Sequence, residues 1–358
     1  MNDWLKERLN FIGSLESYSP AIDPRIYKVT VKLDANENWH IPLGSLKRLV
    51  GESAEEVDVR LYPVRISQEL LEGIAKQMGV SDDCIILTQS SDQGIDLLCQ
   101  AFLDVGDVVD IVTPTFSFYR LRASLARSRY RNVDLNENLS LPIDKILRDS
   151  LNRILFICSP NNPTGNQFSV DDLTELIESY QGLVILDEAY ADFAKYNLVK
   201  EVERYHNLVV IHTFSKSYGL AGLRLGYIAA NPSLTKLLGS KVQHPYPISS
   251  LAAAVALKMI RQPNLIEGAM QSLMLERGWL IERLREIEGI VVFDSQTNFV
   301  LISLPVDSNL IRNALLDRGI AVRAIGNILN FKNCLRITVG TRDMNNAFLS
   351  AFREVLKN

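Results

Sequence analysis

A chain of 358 residues, 47% hydrophobic and 22% charged, has the composition of a soluble globular protein with material for one large domain or two. A formal net charge of −4 supplies no basic footprint for nucleic acid, and no run approaches the ~18 apolar residues of a membrane-spanning helix. Cys84, Cys99, Cys158 and Cys334 lie far apart and read as small core hydrophobes of a reducing, cytoplasmic compartment, while His40, His206, His212 and His244 show no HxxxH or HxH pairing, so neither a disulfide frame nor a metal site is expected.

The chain opens on an amphipathic, charged helix (MNDWLKERLNFIG) with no signal-peptide core, followed by a Pro-containing arm to about residue 30. The turn-forming cluster ANEN precedes a helix near 45–50, and the spacing of Leu70, Leu71, Ile74, Ala75 and Met78 predicts another over 67–78. A short strand, CIILT, runs into Ser90, Ser91 and Asp92 at the head of an amphipathic helix. That trio reads equally as an ordinary N-cap and as an anion site, because the free N–H groups of a helix start favour a phosphate. Strand and helix then alternate: DVVDIVTP, a helix near 117–127, YRNVDL, a helix near 143–151, RILFICSPNNPTG, a helix near 170–180, LVILDEAY and LVVIHTF. Such alternation over some 170 residues argues for an α/β fold with a largely parallel sheet covered on both faces, whose ligands bind beyond the carboxyl ends of the strands.

The stretch 208–230, LVVIHTFSKSYGLAGLRLGYIAA, organises the rest. It places Lys216 at the mouth of a buried strand, with Thr213 and Ser215 just before it and Arg224 eight residues on. A structural lysine on a strand-exit loop would look much the same. A lysine that forms a Schiff base has a stronger reason to be there, since desolvation lowers its pKa and makes it nucleophilic, and the hydroxyls and arginine would hold a phosphate. Pyridoxal phosphate further needs an acid near its ring nitrogen and a group on its ring face. Asp187 ends a strand and suits the first need or a simple cap. Asn162 and Tyr190 suit the ring's phenolic oxygen, and Phe116 suits the ring face or the core. Beyond 247 come two helical patterns, then strands (IVVFD, TNFVLISL, IAVRAI, CLRITVG) and two more helices, an α+β layout. Residues 31–262 are therefore expected as a large domain, with 1–30 and 263–358 as a smaller one carrying the arm.

SPNNPTG (159–165), DEAY (187–190) and TFSKSYGLAGLRLG (213–226) resemble, in order and interval, the signature of fold-type I, class I/II aminotransferases. With LDANEN (33–38), LYP (61–63), SDQGIDLL (91–98) and CLRITVGT (334–341), nearly the whole chain is most similar to the histidinol-phosphate aminotransferases of that family. The resemblance implies pyridoxal 5′-phosphate as cofactor and a seven-stranded, mostly parallel sheet between helices. It makes Lys216 the imine-forming and proton-carrying lysine, Asp187 the partner of the ring nitrogen, and Asn162 and Tyr190 the partners of the phenolic oxygen. Ser91, Asp92, Thr213, Ser215 and Arg224 would hold the cofactor phosphate, and Tyr62 would reach the phosphate of a neighbouring subunit, which implies a homodimer with shared sites. The substrate anion would meet Arg336, Arg323 and Tyr18, with Asn36 and Asn162 nearby; two arginines suit a phosphate better than one suits a carboxylate. The expected reaction exchanges the amino group of L-histidinol phosphate with 2-oxoglutarate. An aromatic or broad-range aminotransferase, a threonine-phosphate decarboxylase-like enzyme and a non-catalytic binding module are the rivals. The chain departs from the family pattern at Ser90–Gln93, where Gly-Ala-Asp-Glu is usual, at Trp39–Ile41 after NEN, and at Phe116, where tyrosine is commoner.

Overall fold

In the computed structural model, which describes residues 2–17, 21–22, 28–148 and 152–357, a seven-stranded sheet forms the centre of the molecule. Helix α1 (Asp3–Gly13), strand β1 (Val31–Lys32) and helices α2 (Leu43–Glu56) and α3 (Val64–Met78) lead into it. The large sheet then takes β2 (Ile85–Thr88), β3 (Val108–Thr113), β4 (Arg129–Asp134), β5 (Ile154–Cys158), β6 (Leu183–Asp187), β7 (Leu208–Thr213) and β8 (Gly226–Ala230), in the spatial order β2-β8-β7-β6-β5-β3-β4. Helices α4 (Ser90–Phe102), α5 (Phe118–Leu125), α6 (Ile143–Leu147) and α7 (Val170–Ser179) connect its strands, and α8 (Pro232–Leu237), α9 (Ser250–Ile260) and α10 (Pro263–Arg285) follow. The chain closes with β9 (Val291–Val292), β10 (Phe299–Ser303), α11 (Ser308–Leu316), β11 (Ile320–Ala321), β12 (Arg323–Ile328), β13 (Phe331–Thr338) and α12 (Arg342–Lys357).

The central strands carry apolar side chains on both faces because both faces are covered. Leu155, Ile157, Val184, Leu186, Leu208 and Val210 pack into one core. The alternate residues Ile154, Phe156, Ile185, Val209 and Ile211 pack into another on the opposite face. This is the near-continuous hydrophobic run that a doubly covered parallel strand requires. Only β8 runs against its neighbours β7 and β2; the remaining pairings are parallel. A four-stranded antiparallel sheet, β12-β13-β10-β9, packs with α10 and α12 into a third core that also receives Tyr190 and Phe193 from the loop after β6. Val31–Lys32 pairs with Ile320–Ala321, so the segment that follows the arm is stitched to the carboxyl-terminal part of the chain. All four cysteines are free, buried thiols. Among the described residues, no helix is long and apolar enough to cross a membrane.

Candidate active site

The reversed strand explains why three distant loops converge. Register places Thr88 of β2 and Thr213 of β7 on either side of Gly226. The residues just beyond those positions (Ser90 to Asp92, Ser215 and Lys216, and Arg224) are therefore neighbours. A Cβ on Gly226 would stand 2.7 Å from the His212 carbonyl oxygen and 2.9 Å from the Ser91 nitrogen. Only glycine allows this approach.

At that junction Ser90 adopts φ +66°, a conformation that explains the glycine usual in the family pattern. Its Oγ accepts hydrogen bonds from Arg224 Nη2 (2.8 Å) and from the Asp92 backbone N–H (3.2 Å). Arg224 also pairs with Asp92 Oδ2 at 2.6 Å. Thr213 Oγ1 accepts from the Ser215 N–H at 3.2 Å and donates to Ser215 Oγ at 3.0 Å. A helix start, two hydroxyls and a guanidinium thus surround one point, which is the donor set of a phosphate cup.

These groups form one end of a cavity of about 920 Å³ at the carboxyl edge of the sheet. Its wall includes Asn36, Ser91, Asp92, Phe116, Asn162, Asp187, Tyr190, Thr213, Ser215, Lys216, Arg224, Arg323 and Arg336 together, although they come from segments up to 300 positions apart. Lys216 Nζ donates to the Ala35 carbonyl oxygen at 3.1 Å. Burial, and then the like charge of Arg336, push its pKa down to about 8.

Asp187 is buried, and burial raises its pKa. Its Oδ2 accepts from the Tyr119 hydroxyl at 2.6 Å and its Oδ1 from the Ala189 N–H at 3.0 Å. Among the described residues it forms no ion pair with a basic side chain. A buried carboxylate in a cavity wall is costly without a cation, and a protonated ring nitrogen would supply one. Tyr190 accepts from Asn36 Nδ2 at 2.8 Å, which leaves its own proton to donate. Asn162 Oδ1 accepts from Arg336 Nη1 at 2.7 Å, which leaves its amide N–H groups to donate. The residues present therefore fit pyridoxal phosphate.

Arg323 and Arg336 stand directly opposite each other across β12 and β13, and both line the cavity. Like charges at facing positions repel, and a shared anion relieves that cost. Phe116 meets Tyr119 edge-on at 5.7 Å. Tyr62 does not line the cavity; it is 73% exposed and stacks on Tyr246 at 4.2 Å. Tyr18 lies outside the described residues.

The model of the family described as aminotransferase class I and II matches residues 28–352. The chain belongs to this family. Histidinol-phosphate aminotransferase of Bacteroides thetaiotaomicron is 36% identical over 352 residues, covering 96% of each chain. Among solved structures, histidinol-phosphate aminotransferase from Sinorhizobium meliloti in complex with pyridoxal-5′-phosphate superposes with a TM-score of 0.88 at 20% identity, over 97% of this chain and 96% of that one. L-threonine-O-3-phosphate decarboxylase from Porphyromonas gingivalis gives 0.80 at 22%, over 91% and 99%. At such identities both are likenesses of fold.

Several groups in the aminotransferase's site were given no role by the sequence reading. Tyr119 is fully buried, stacked on Phe156 at 4.7 Å. It follows Phe116 by three residues across the start of α5, and the two rings meet edge-on. His212 and Glu188 make a buried pair at 2.9 Å behind Lys216 and Asp187. Burial opposes charge on His212, but the hydrogen bond and charge of Glu188 outweigh it and raise its pKa. On β7 the His212 ring stacks on Tyr227 of β8 at 5.1 Å.

Proposed function

We propose that this aminotransferase uses pyridoxal 5′-phosphate to exchange the amino group of L-histidinol phosphate with 2-oxoglutarate, giving imidazole acetol phosphate and L-glutamate, a step of histidine biosynthesis. The facing pair Arg323 and Arg336 carries the substrate reading. Two guanidiniums at one cavity wall match an anion with several oxygens, and the curated relative at 36% identity bears that activity in its name.

The cofactor, when bound, supplies an aldehyde for amines to condense with and a cationic ring that draws electrons from the substrate's Cα. Lys216 is poised as a nucleophile by its depressed pKa, and its Nζ carries the proton to and from Cα. Asp187, held by Tyr119 and the Ala189 N–H, keeps the ring nitrogen protonated. Tyr190 and Asn162 offer their free donors to the phenolic oxygen, and Phe116 covers the ring face. The N–H groups of Ser91 and Asp92, the hydroxyls of Thr213 and Ser215 and the Arg224 guanidinium hold the phosphate. Arg336, Arg323, Tyr18 and Asn36 receive the substrate. Residues 31–262 form the cofactor domain, and 1–30 with 263–358 the smaller one.

The reading extends to a cytoplasmic homodimer. Tyr62 is exposed, is not among the residues lining its own cavity and stacks on Tyr246, which suits a residue that reaches into a neighbouring subunit. Four buried free thiols suit a reducing compartment.

The test is a comparison of specificity constants. kcat/KM for L-histidinol phosphate should exceed that for L-phenylalanine by orders of magnitude; equal values overturn the substrate assignment. Release of CO2 from threonine phosphate without amino transfer would favour the decarboxylase, and a protein that stays colourless with pyridoxal phosphate would favour a binding module.

A further inference from the structure

The turn that follows β1 touches several of the groups that carry the chemistry. The Asp34 carbonyl oxygen accepts from Arg336 Nη2 at 2.9 Å, and the Ala35 carbonyl oxygen accepts from Lys216 Nζ at 3.1 Å. Asn36 Nδ2 donates to the Tyr190 hydroxyl at 2.8 Å, and Asn38 Nδ2 donates to the Ser217 carbonyl oxygen at 2.8 Å. Adjacent backbone carbonyls thus hold the anion-binding arginine and the imine-forming lysine, so the path of the chain at 34–36 sets where both side chains stand. That path is not a relaxed one. Asn36 is buried with φ +57°, a left-handed conformation that is unfavourable for L-residues, though less so for asparagine than for most.

Lys32 closes this turn. The pairing of β1 with β11 fixes its backbone opposite Ala321. Its side chain is 12% exposed; Nζ stands 2.9 Å from Asp34 Oδ1 and also pairs with Glu37 Oε1. The two carboxylates flank Ala35 and Asn36, so one ammonium ties together both ends of the left-handed step. Asp34 Oδ2 accepts from the Ile22 N–H at 2.8 Å. Through Asp34 the same clamp reaches the arm, whose Ala21 lines the cavity. Burial opposes the charge on Lys32, but the hydrogen bonds and charges of Glu37 and Asp34 outweigh it and raise its pKa, so the clamp is charged through the neutral range. Without the ammonium, two neighbouring carboxylates, one of them buried, would be left to repel each other.

Resting on the roles given above to Lys216 and Arg336, we propose that Lys32 is a positioning residue for the amino transfer. Its ammonium, held between Asp34 and Glu37, fixes the turn whose carbonyl oxygens aim the amine of Lys216 and the guanidinium of Arg336. Lys32 does not itself line the cavity; it acts through those two residues and moves no proton. Because Lys216 serves every amino donor and Arg336 every anionic one, its effect falls on phosphorylated and carboxylate substrates alike.

The experiment compares the parent with Lys32→Met and with Lys32→Arg, which keeps the charge. In cofactor-free protein, hydrogen exchange read by mass spectrometry should quicken at Ile22 and over 33–38 in Lys32→Met, stay unchanged in α7, and return toward the parent in Lys32→Arg. In cofactor-loaded protein, single-turnover transfer from L-glutamate and from L-histidinol phosphate should slow about tenfold at saturation, and both half-saturation concentrations should rise by a similar factor. That is the scale of a sub-ångström displacement, where about 1 Å costs about 100-fold. Lys32→Arg should recover most of both losses. If Lys32→Met does not fold, Glu37→Gln carries the test: it opens one side of the clamp, leaves Asp34 paired, and should move each reading in the same direction by less. Parent-like rate and half-saturation in a folded variant overturn the positioning role, whatever its melting temperature, and so does unaltered exchange over 33–38. A loss confined to one of the two amino donors overturns it as well. A Lys216→Met protein whose bound cofactor keeps the parent absorbance would instead sink the reading of the site, a result distinct from these.

Discussion

In cofactor-free protein the amine of Lys216 should titrate near pH 8, because burial and the neighbouring Arg336 both disfavour its charged form. A lysine of pKa about 8 is neutral in about one molecule in ten at pH 7, against about one in three thousand for an amine at 10.5, a gain of roughly 300-fold in nucleophile. Competitive acetylation reads this directly. The protein is pulsed with trace acetic anhydride at a series of pH values, and mass spectrometry of the digest gives the labelling of each lysine. Exposed lysines in the same tube provide the reference, so reagent decay cancels. Lys216 should gain reactivity up to about pH 8 and level off above about pH 9, while an ordinary amine continues to climb past 10. Arg336→Met removes the second cause of the shift and should move the midpoint upward. A Lys216 curve that tracks the exposed lysines would refute both the desolvation argument and the role built on it.

Other consequences follow from the same geometry. Because the folded-state pKa of Lys216 is depressed, the unfolded chain binds that proton more tightly; Lys216→Met should therefore raise the melting temperature of cofactor-free protein below pH 8, and the gain should fade as pH rises from about 8 to about 10.4. Tyr119→Phe keeps the stack on Phe156 but removes a hydrogen bond to a carboxylate worth about 1.5–3 kcal/mol, so bound cofactor should dissociate faster after dilution; an unchanged rate would deny Tyr119 its positioning role. Glu188→Gln deprives His212 of the partner that raises its pKa, so the loss of stability in urea should be larger at pH 6 than at pH 9, and the reverse order would be contrary to the argument. Gly226→Ala forces a methyl against backbone atoms under 3 Å away; it should cost about 1–3 kcal/mol and weaken cofactor retention, and a variant that melts and retains cofactor like the parent would show that the strand can shift.

How much was legible in advance depends on how far each residue's reason for being there is local. The helix–strand alternation, the buried strands and the coming together of Lys216, Asp187, Asn162 and Arg224 were readable, because strand periodicity and strand-end loops are properties of short windows. The pairing of Arg323 with Arg336 was expected only as two nearby arginines; their facing registry depends on the register shifts between Ala324 and Ile328 of β12, which no short pattern announces. Ser90 looked like a cap or a departure from type, and the structure gives it φ +66° and a hydroxyl turned to Arg224. Tyr119 and the His212–Glu188 pair were assigned no role, since a buried hydroxyl or ring declares its partner only across strands.

The sequence by itself determined the chemistry on offer: a desolvated lysine, an acid ending a strand, a helix start with hydroxyls and, through the family resemblance, two arginines in the carboxyl-terminal strands. Tertiary structure alone decided which groups share a cavity and what each is hydrogen-bonded to. The physical reason is that periodicity and capping act over a few residues. The proximity that sets a pKa or assembles an anion site acts over a few ångströms between segments the chain order keeps far apart.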